Sequence, residues 1–368
     1  MSPLPFALEE NALARALRAR REPYIDLTLS NPTAAGLPYE EEKILGALSR
    51  REVLRYQPHP RGLLSAREAV AEFCGVDPER IVLTSSTSEA YSLLFKLLCQ
   101  PGDEVLAPEP SYPLFAYLTA LESVRLVPYP LRWDGEWHLD PAALRLSDRT
   151  RALLVVSPGN PTGAYLKKAE LAQLVRCPLI CDEVFADYPV GDDSRRARSC
   201  GNDRVLTFTL SGLSKVAGLP QLKLAWCAVS GPGAEAALHK LELIADTYLS
   251  VNTPVQVAAR DLLETRHSFQ RALRSRLAAN RAALQGARRP DASWDVLGSE
   301  GGWSAILSVP RSRSEEEWAL ALLEAGALAH PGYFFDFPPG SGAHLVVSLL
   351  PEPAEFARGV QILARTLG

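Results

Sequence analysis

Between residues 80 and 230 the chain repeats one pattern: a short, nearly continuous apolar run, then a helical or polar stretch. The runs are 80–85 (RIVLTS), 103–108 (DEVLAP), 124–129 (VRLVPY), 151–158 (RALLVVSP), 178–184 (PLICDEV), 204–211 (RVLTFTLS) and 223–230 (KLAWCAVS). Runs that are β-branched and apolar at almost every position predict strands covered on both faces, as in a mainly parallel sheet. Helical periodicity, as at 88–98 and 168–175, fills the gaps between them. The alternation predicts an α/β fold built on a seven-stranded, mainly parallel sheet.

From residue 234 the pattern changes. A helical run is followed by a second, longer one, long enough to bridge two domains. Two further strand patterns follow, at 305–309 and 344–349, with helical periodicity at 315–324 and 353–367. This predicts a smaller α+β domain, to which the N-terminal segment contributes. A length of 368 residues suits two domains. The expected division is 35–268 for the large domain, and 1–34 plus 269–368 for the small one.

Charge excludes some classes. With 39 basic and 43 acidic residues the net charge is −4, which gives no surface for nucleic acid. The basic stretch 194–199 (SRRARS) reads as a solvated loop. No apolar run reaches the roughly 18 residues that span a bilayer. The first 23 residues lack an apolar signal core and read as an amphipathic helix. The six cysteines show no zinc spacing, so they are expected to be reduced thiols, with no metal site and a cytoplasmic location.

In an open parallel sheet, ligands bind beyond the carboxyl ends of the strands. Four such ends carry distinctive residues. In 84–90 (TSSTSEA), Ser86, Thr87 and Ser88 stand between a strand and a helix. There they form either an anion cradle or a plain Ser/Thr helix cap. In 157–163 (SPGNPTG), Asn160 aims into the crevice or serves as a turn residue. Asp182 directly follows the apolar run PLIC, and a carboxylate there needs a ligand cation or an internal arginine. The stretch 210–226 (LSGLSKVAGLPQLKLAW) holds two of the chain's seven lysines, Lys215 and Lys223. A buried lysine drops well below its free value of about 10.4 and can act as a nucleophile or form a Schiff base. An exposed one merely snorkels.

Together these are the parts needed to hold pyridoxal phosphate. Its phosphate needs N–H donors and a cation. Its ring nitrogen needs a carboxylate, its phenolic oxygen a donor, and its aldehyde an amine.

At this level the chain resembles the fold-type I pyridoxal-phosphate enzymes of the class I/II aminotransferases. The resemblance runs from 29–33 (LSNPT) to the last helix and rests on NPTG, DEVF and SGLSK…LKLAW at matching gaps. It implies that Lys215 forms the internal aldimine and later moves a proton between the substrate α-carbon and the cofactor, which passes through a pyridoxamine form. It implies that Asp182 pairs with the ring nitrogen, Asn160 donates to the phenolic oxygen, and Ser86, Thr87 and Ser88 hold the phosphate. Tyr112 falls where the family stacks an aromatic on the ring. Tyr56 matches a tyrosine that reaches the neighbouring subunit's cofactor, which implies a homodimer with shared active sites. The reaction implied moves an amino group between an amino acid and a 2-oxo acid. A lyase or decarboxylase on the same cofactor is the alternative, and a non-catalytic scaffold a third reading.

Three positions depart from the family pattern. Lys223 stands where most relatives place a phosphate-binding arginine. Phe185 replaces a tyrosine that donates to the phenolic oxygen. Val346 occupies the place of the arginine that forks onto the substrate α-carboxylate. Arg61, His344 and Asn31 are the candidates to replace that arginine.

Overall fold

A computed structural model of the chain describes residues 10–338 and 340–368. All seven expected runs form strands of one sheet, which gains an eighth at its edge. The strands are β1 (Ile81–Thr84), β2 (Glu104–Glu109), β3 (Arg125–Trp133), β4 (Trp137–Leu139), β5 (Thr150–Val156), β6 (Leu179–Asp182), β7 (Thr207–Gly212) and β8 (Ala225–Ser230). Their spatial order is β1-β8-β7-β6-β5-β2-β3-β4. The core β3-β2-β5-β6-β7 is parallel, while β8 runs antiparallel to both of its neighbours. The added strand is the three-residue β4, which folds back on the end of β3. It is too short to give a periodic signal, and β3 carries Pro128 and Pro130, which blur its reading as a strand. Those prolines are tolerated because β4 pairs only with 131–133, leaving their outer side without a ladder to serve.

Both faces of the sheet are covered, which explains the unbroken apolar runs. Ala152 and Leu154 of β5 pack on one side with Tyr91, Leu94 and Phe95 of the helix Thr87–Leu98. Leu153 and Val155 pack on the other with Leu166 and Leu174. Beneath β1 and β8, the helices Leu64–Cys74 and Thr253–Glu264 pack against Ile81, Leu83 and Trp226.

The C-terminal part forms a four-stranded antiparallel sheet from Asp295–Val296, Ser304–Val309, Ala343–Ser348 and His330–Pro331, in that spatial order. Helices Glu315–Ala325 and Pro353–Leu367 contribute to its core. The N-terminal segment joins it: Ile25–Asp26 pairs in parallel with Ala327–Leu328, and Leu27 is buried in the same core. The expected amphipathic helix covers Ala12–Ala19, capped by the Asn11 side chain on Ala14 N–H at 2.7 Å. The first nine residues of that expected segment lie outside the described residues. The long helical run expected after residue 253 is broken at Thr265, which ends one helix and opens the next, Arg266–Ala287. Phe269, Leu273, Leu277 and Leu284 of that second helix enter the C-terminal core.

All six cysteines are free thiols. Among the described residues no group of His, Cys, Asp and Glu could hold a metal ion, and no helix is long and apolar enough to cross a membrane.

Candidate active site

Reversal of β8 gathers the site. Its first residue, Ala225, pairs with Thr84 at the end of β1 on one side and with Gly212 at the end of β7 on the other. Three pieces of chain therefore meet at one sheet edge: the loop that starts the helix Thr87–Leu98, the turn that carries Lys215, and the segment that carries Lys223. The approach is close. A Cβ on Gly212 would lie 2.9 Å from the Ala225 Cβ, closer than side-chain carbons come.

Asp182 ends β6 at the same edge and is buried. One carboxylate oxygen accepts from the Tyr91 hydroxyl at 2.8 Å, and the other from Val184 N–H at 3.1 Å. Burial pushes its pKa up, against these two hydrogen bonds and the nearby Lys215 charge. The carboxylate is thus built to meet a positive partner that the two hydrogen bonds do not supply.

Lys215 lies in the short helix Leu213–Val216 after β7. Burial lowers its amine to about 8, opposed by the Asp182 carboxylate. Its Nζ lies 4.9 Å from the centre of the Trp303 ring and 5.6 Å from that of Phe185. Its backbone carbonyl accepts from the Tyr188 hydroxyl.

The serine-rich loop opens the helix Thr87–Leu98. Ser86 is the cap, accepting from Glu89 N–H at 3.1 Å, so its hydroxyl is engaged. The Glu89 carboxylate reaches back to Ser85 N–H at 2.6 Å and to the Ser250 hydroxyl at 2.7 Å. The N–H groups of Thr87 and Ser88 belong to the first turn, which has no acceptors of its own and is a ready anion site. Asn160 accepts through Oδ1 from the Ser304 hydroxyl at 3.3 Å.

The comparisons with known proteins fit this geometry. The family model "Aminotransferase class I and II" matches residues 23–345. The chain belongs to the aminotransferase class I and II family. Members of this family are pyridoxal-phosphate-dependent transferases. An alanine aminotransferase of Mycobacterium tuberculosis is 28% identical, over 96% of this chain and 88% of that one. A glutamate-pyruvate aminotransferase of Escherichia coli is 26% identical over 68% of this chain, a match that spans 66% of the relative's length. Among solved structures, an alanine aminotransferase from Pyrococcus furiosus superposes with a TM-score of 0.84 at 24% identity, covering 96% of this chain and 95% of that one.

The residues present suit the family's cofactor. A buried carboxylate short of a cation, an amine that donates no hydrogen bond to any described residue, and a helix start with free N–H groups are the complement of its ring nitrogen, aldehyde and phosphate. Other expected residues stand further out. Tyr112 is exposed on the loop after β2, Lys223 is exposed in a left-handed conformation (φ 54°), and Tyr56 is 74% exposed.

The surroundings of Val346 are apolar. Val346 is 1% exposed and packs with Trp137, Ile306 and Phe335. None of the three candidates to replace the missing arginine offers a free cation. Arg61 is forked onto Glu79, at 2.7 Å to its carboxylate and 2.9 Å to its carbonyl. Burial drives the His344 imidazole down to about 4, so it is neutral at pH 7; it stacks on Phe337 at 4.2 Å. Asn31 caps the turn Pro32–Ala34 through Thr33 N–H and its hydroxyl.

Sequence reading missed Tyr91, Tyr188 and Trp303. Tyr91 had a signal: it lies one turn after Thr87 on the same helix face. Trp303 had none, because it reaches Lys215 from 88 positions away in the chain.

Proposed function

We propose that this protein is an aminotransferase that moves an amino group between an amino acid and a 2-oxo acid. The observation that carries the reading is the placement of a half-buried amine, Lys215, within electrostatic reach of a buried carboxylate, Asp182, at one sheet edge. When bound, pyridoxal phosphate would supply the electron sink and the temporary home for the amino group.

The roles of this chain's residues follow from their placement. Asp182, held by Tyr91 and Val184, would keep a proton on the ring nitrogen. Thr87 and Ser88 N–H groups and Lys223 would take the phosphate, Asn160 the phenolic oxygen with the Phe185 ring beside that oxygen, and Tyr112 a face of the ring. Lys215 Nζ would hold the cofactor and carry the proton that leaves and returns at the substrate α-carbon, a task suited to an amine near neutrality. The working domain division is 35–268 against 1–34 plus 269–368.

Exposed apolar residues support a homodimer. Leu54 is 87% exposed and Tyr56 74%, and Tyr248 and Leu249 beside them are also exposed. Such residues on a chain of this kind are suited to a second copy, with Tyr56 reaching the partner's site. A cytoplasmic location accords with six free thiols.

The test is optical and chemical. Purified protein loaded with pyridoxal phosphate is given single amino acids, then a 2-oxo acid. Loss of the cofactor band, followed by its return and release of a new amino acid, is the expected result. Lys215→Ala should lower turnover by at least about a thousandfold. The Val346 cluster also favours a second reading, a lyase or decarboxylase, in which one amino acid alone would yield pyruvate and ammonia, or an amine and carbon dioxide. Sedimentation reads the oligomeric state independently.

A further inference from the structure

The neighbours of the Lys215 amine are two aromatic faces. Trp303 and Phe185 lie 4.9 and 5.6 Å from Nζ, measured to ring centres. The two rings meet edge to face, 5.3 Å apart at 72°, and Tyr188 braces Trp303 from another side at 5.2 Å and 73°. Trp303 is 5% exposed, and its indole N–H has no acceptor among the described residues. A buried N–H without a partner is costly, so its polar atom is not what holds this ring in place. A phenyl ring would fill much of the space without that cost. What indole has over phenyl is the stronger face for a cation.

Trp303 does not come from the large sheet. It immediately precedes the strand Ser304–Val309 of the four-stranded sheet, and its carbonyl accepts from Leu349 N–H at 2.7 Å. Its approach is made by glycine. Gly302 N–H donates to the Tyr188 carbonyl at 3.0 Å. A Cβ on Gly301 would lie 2.6 Å from the Tyr165 ring and 2.7 Å from the Tyr188 carbonyl.

We propose that Trp303 is a positioning residue: with Phe185 it forms an aromatic clasp that orients the free Lys215 amine and stabilises its proton through π faces instead of hydrogen bonds. The proposal rests on reading Lys215 as the reactive amine. Two influences oppose each other in the clasp. Burial favours the neutral amine, while the ring faces favour the ammonium. Of the titratable groups around it, the Asp182 carboxylate favours the ammonium. The Tyr91 hydroxyl is bonded to that carboxylate and the Tyr188 hydroxyl to the Lys215 carbonyl. Both protonation states are then available near pH 8, as a group that must both give and take a proton requires.

The clasp is tested on cofactor-free protein, by the pH dependence of reductive methylation at Lys215 read by peptide mass spectrometry. Wild type is compared with Trp303→Phe, Trp303→Leu and Phe185→Leu, each checked for folding by circular dichroism. Leucine keeps the site apolar and removes the face, so the midpoint should fall in the order Trp, Phe, Leu. The total shift should be about one pH unit, a tenfold change in the acid constant. Phe185→Leu should shift it less, since its ring is further away. Should Trp303→Leu fail to fold, Trp303→Phe still reads the trend. Midpoints that coincide, or that rise, in folded variants overturn the clasp. If the midpoints shift as expected but the protein takes up no pyridoxal phosphate, the proposed function fails and the clasp stands. If the loaded protein transaminates while the midpoints coincide, the clasp fails and the function stands.

Discussion

The two sides of the crevice are built on different physics. On the large-sheet side, polar groups are buried or half-buried and their partners are few and definite: Tyr91 on Asp182, Ser86 on Glu89, a helix start with open N–H groups. On the side of the four-stranded sheet, Val346, Ile306, Trp137 and Phe335 close up against one another with no formal charge. The first side is organised by hydrogen bonds and charge. The second is organised by packing, so any grip on a substrate carboxylate must come from neutral donors or from elsewhere. On the proposed assignment, binding a cofactor and choosing a substrate would be separable properties of this chain.

The hardest test of that contrast is Val346→Arg. It places a guanidinium in an apolar cluster without an acceptor, where an unpaired buried charge costs about 3–5 kcal/mol. Melting should fall by roughly 5 °C. A Val346→Arg protein that melts like wild type and binds amino acids more tightly would erase the distinction between the two sides.

Asp182→Asn probes the polar side. The Asp182 pKa is raised in the folded protein. Between the unfolded value, about 3.9, and the higher folded one, the folded state binds more protons than the unfolded state, so this group's contribution to stability falls as pH rises through that window. Above it the ionised carboxylate is a standing cost. Asparagine can still accept from Val184 N–H through its one oxygen and donate its amide to the Tyr91 oxygen, and it carries no charge. The cofactor-free variant should therefore melt a few degrees higher than wild type at pH 8, with the gap narrowing toward pH 4. Turnover should fall on the order of a hundredfold. Equal melting at both pH values would show that Asp182 carries no stored cost.

The smallest expected effect is at Phe185, which belongs to both sides. Phe185→Tyr adds a phenolic donor beside the cofactor's phenolic oxygen and should lower the pH midpoint of the bound cofactor's absorbance by roughly one unit. An unchanged or raised midpoint would place the new hydroxyl out of reach.

These two physics also explain what could be read from the sequence. The strands of the large sheet were legible because both faces are covered, so each run is apolar throughout. Their polar terminators, Ser86, Asp182 and Lys215, stood out against that background. The three-residue β4 and the break at Thr265 were not legible, since neither changes the local periodicity. Trp303 was invisible for a different reason. In sequence it is one more apolar residue beside a strand, and only the fold brings it to the amine. Val346 was legible as a departure, but the aromatic cluster around it draws on residues from 137 to 346.

Backbone pairing at Ala225 has a mechanical consequence. Ala225 is flanked by Thr84 and Gly212, and the chain from Lys215 to Lys223 spans the turn between β7 and β8. That turn works as a gauge. Its length sets how far the amine stands from the second lysine, and the ladder on either side fixes the zero of the scale. Gly212 is the notch in which the gauge seats, because a methyl there would meet the Ala225 Cβ at 2.9 Å. Lengthening the turn by one residue would leave every side chain in the site unchanged and still shift Lys215 relative to Lys223.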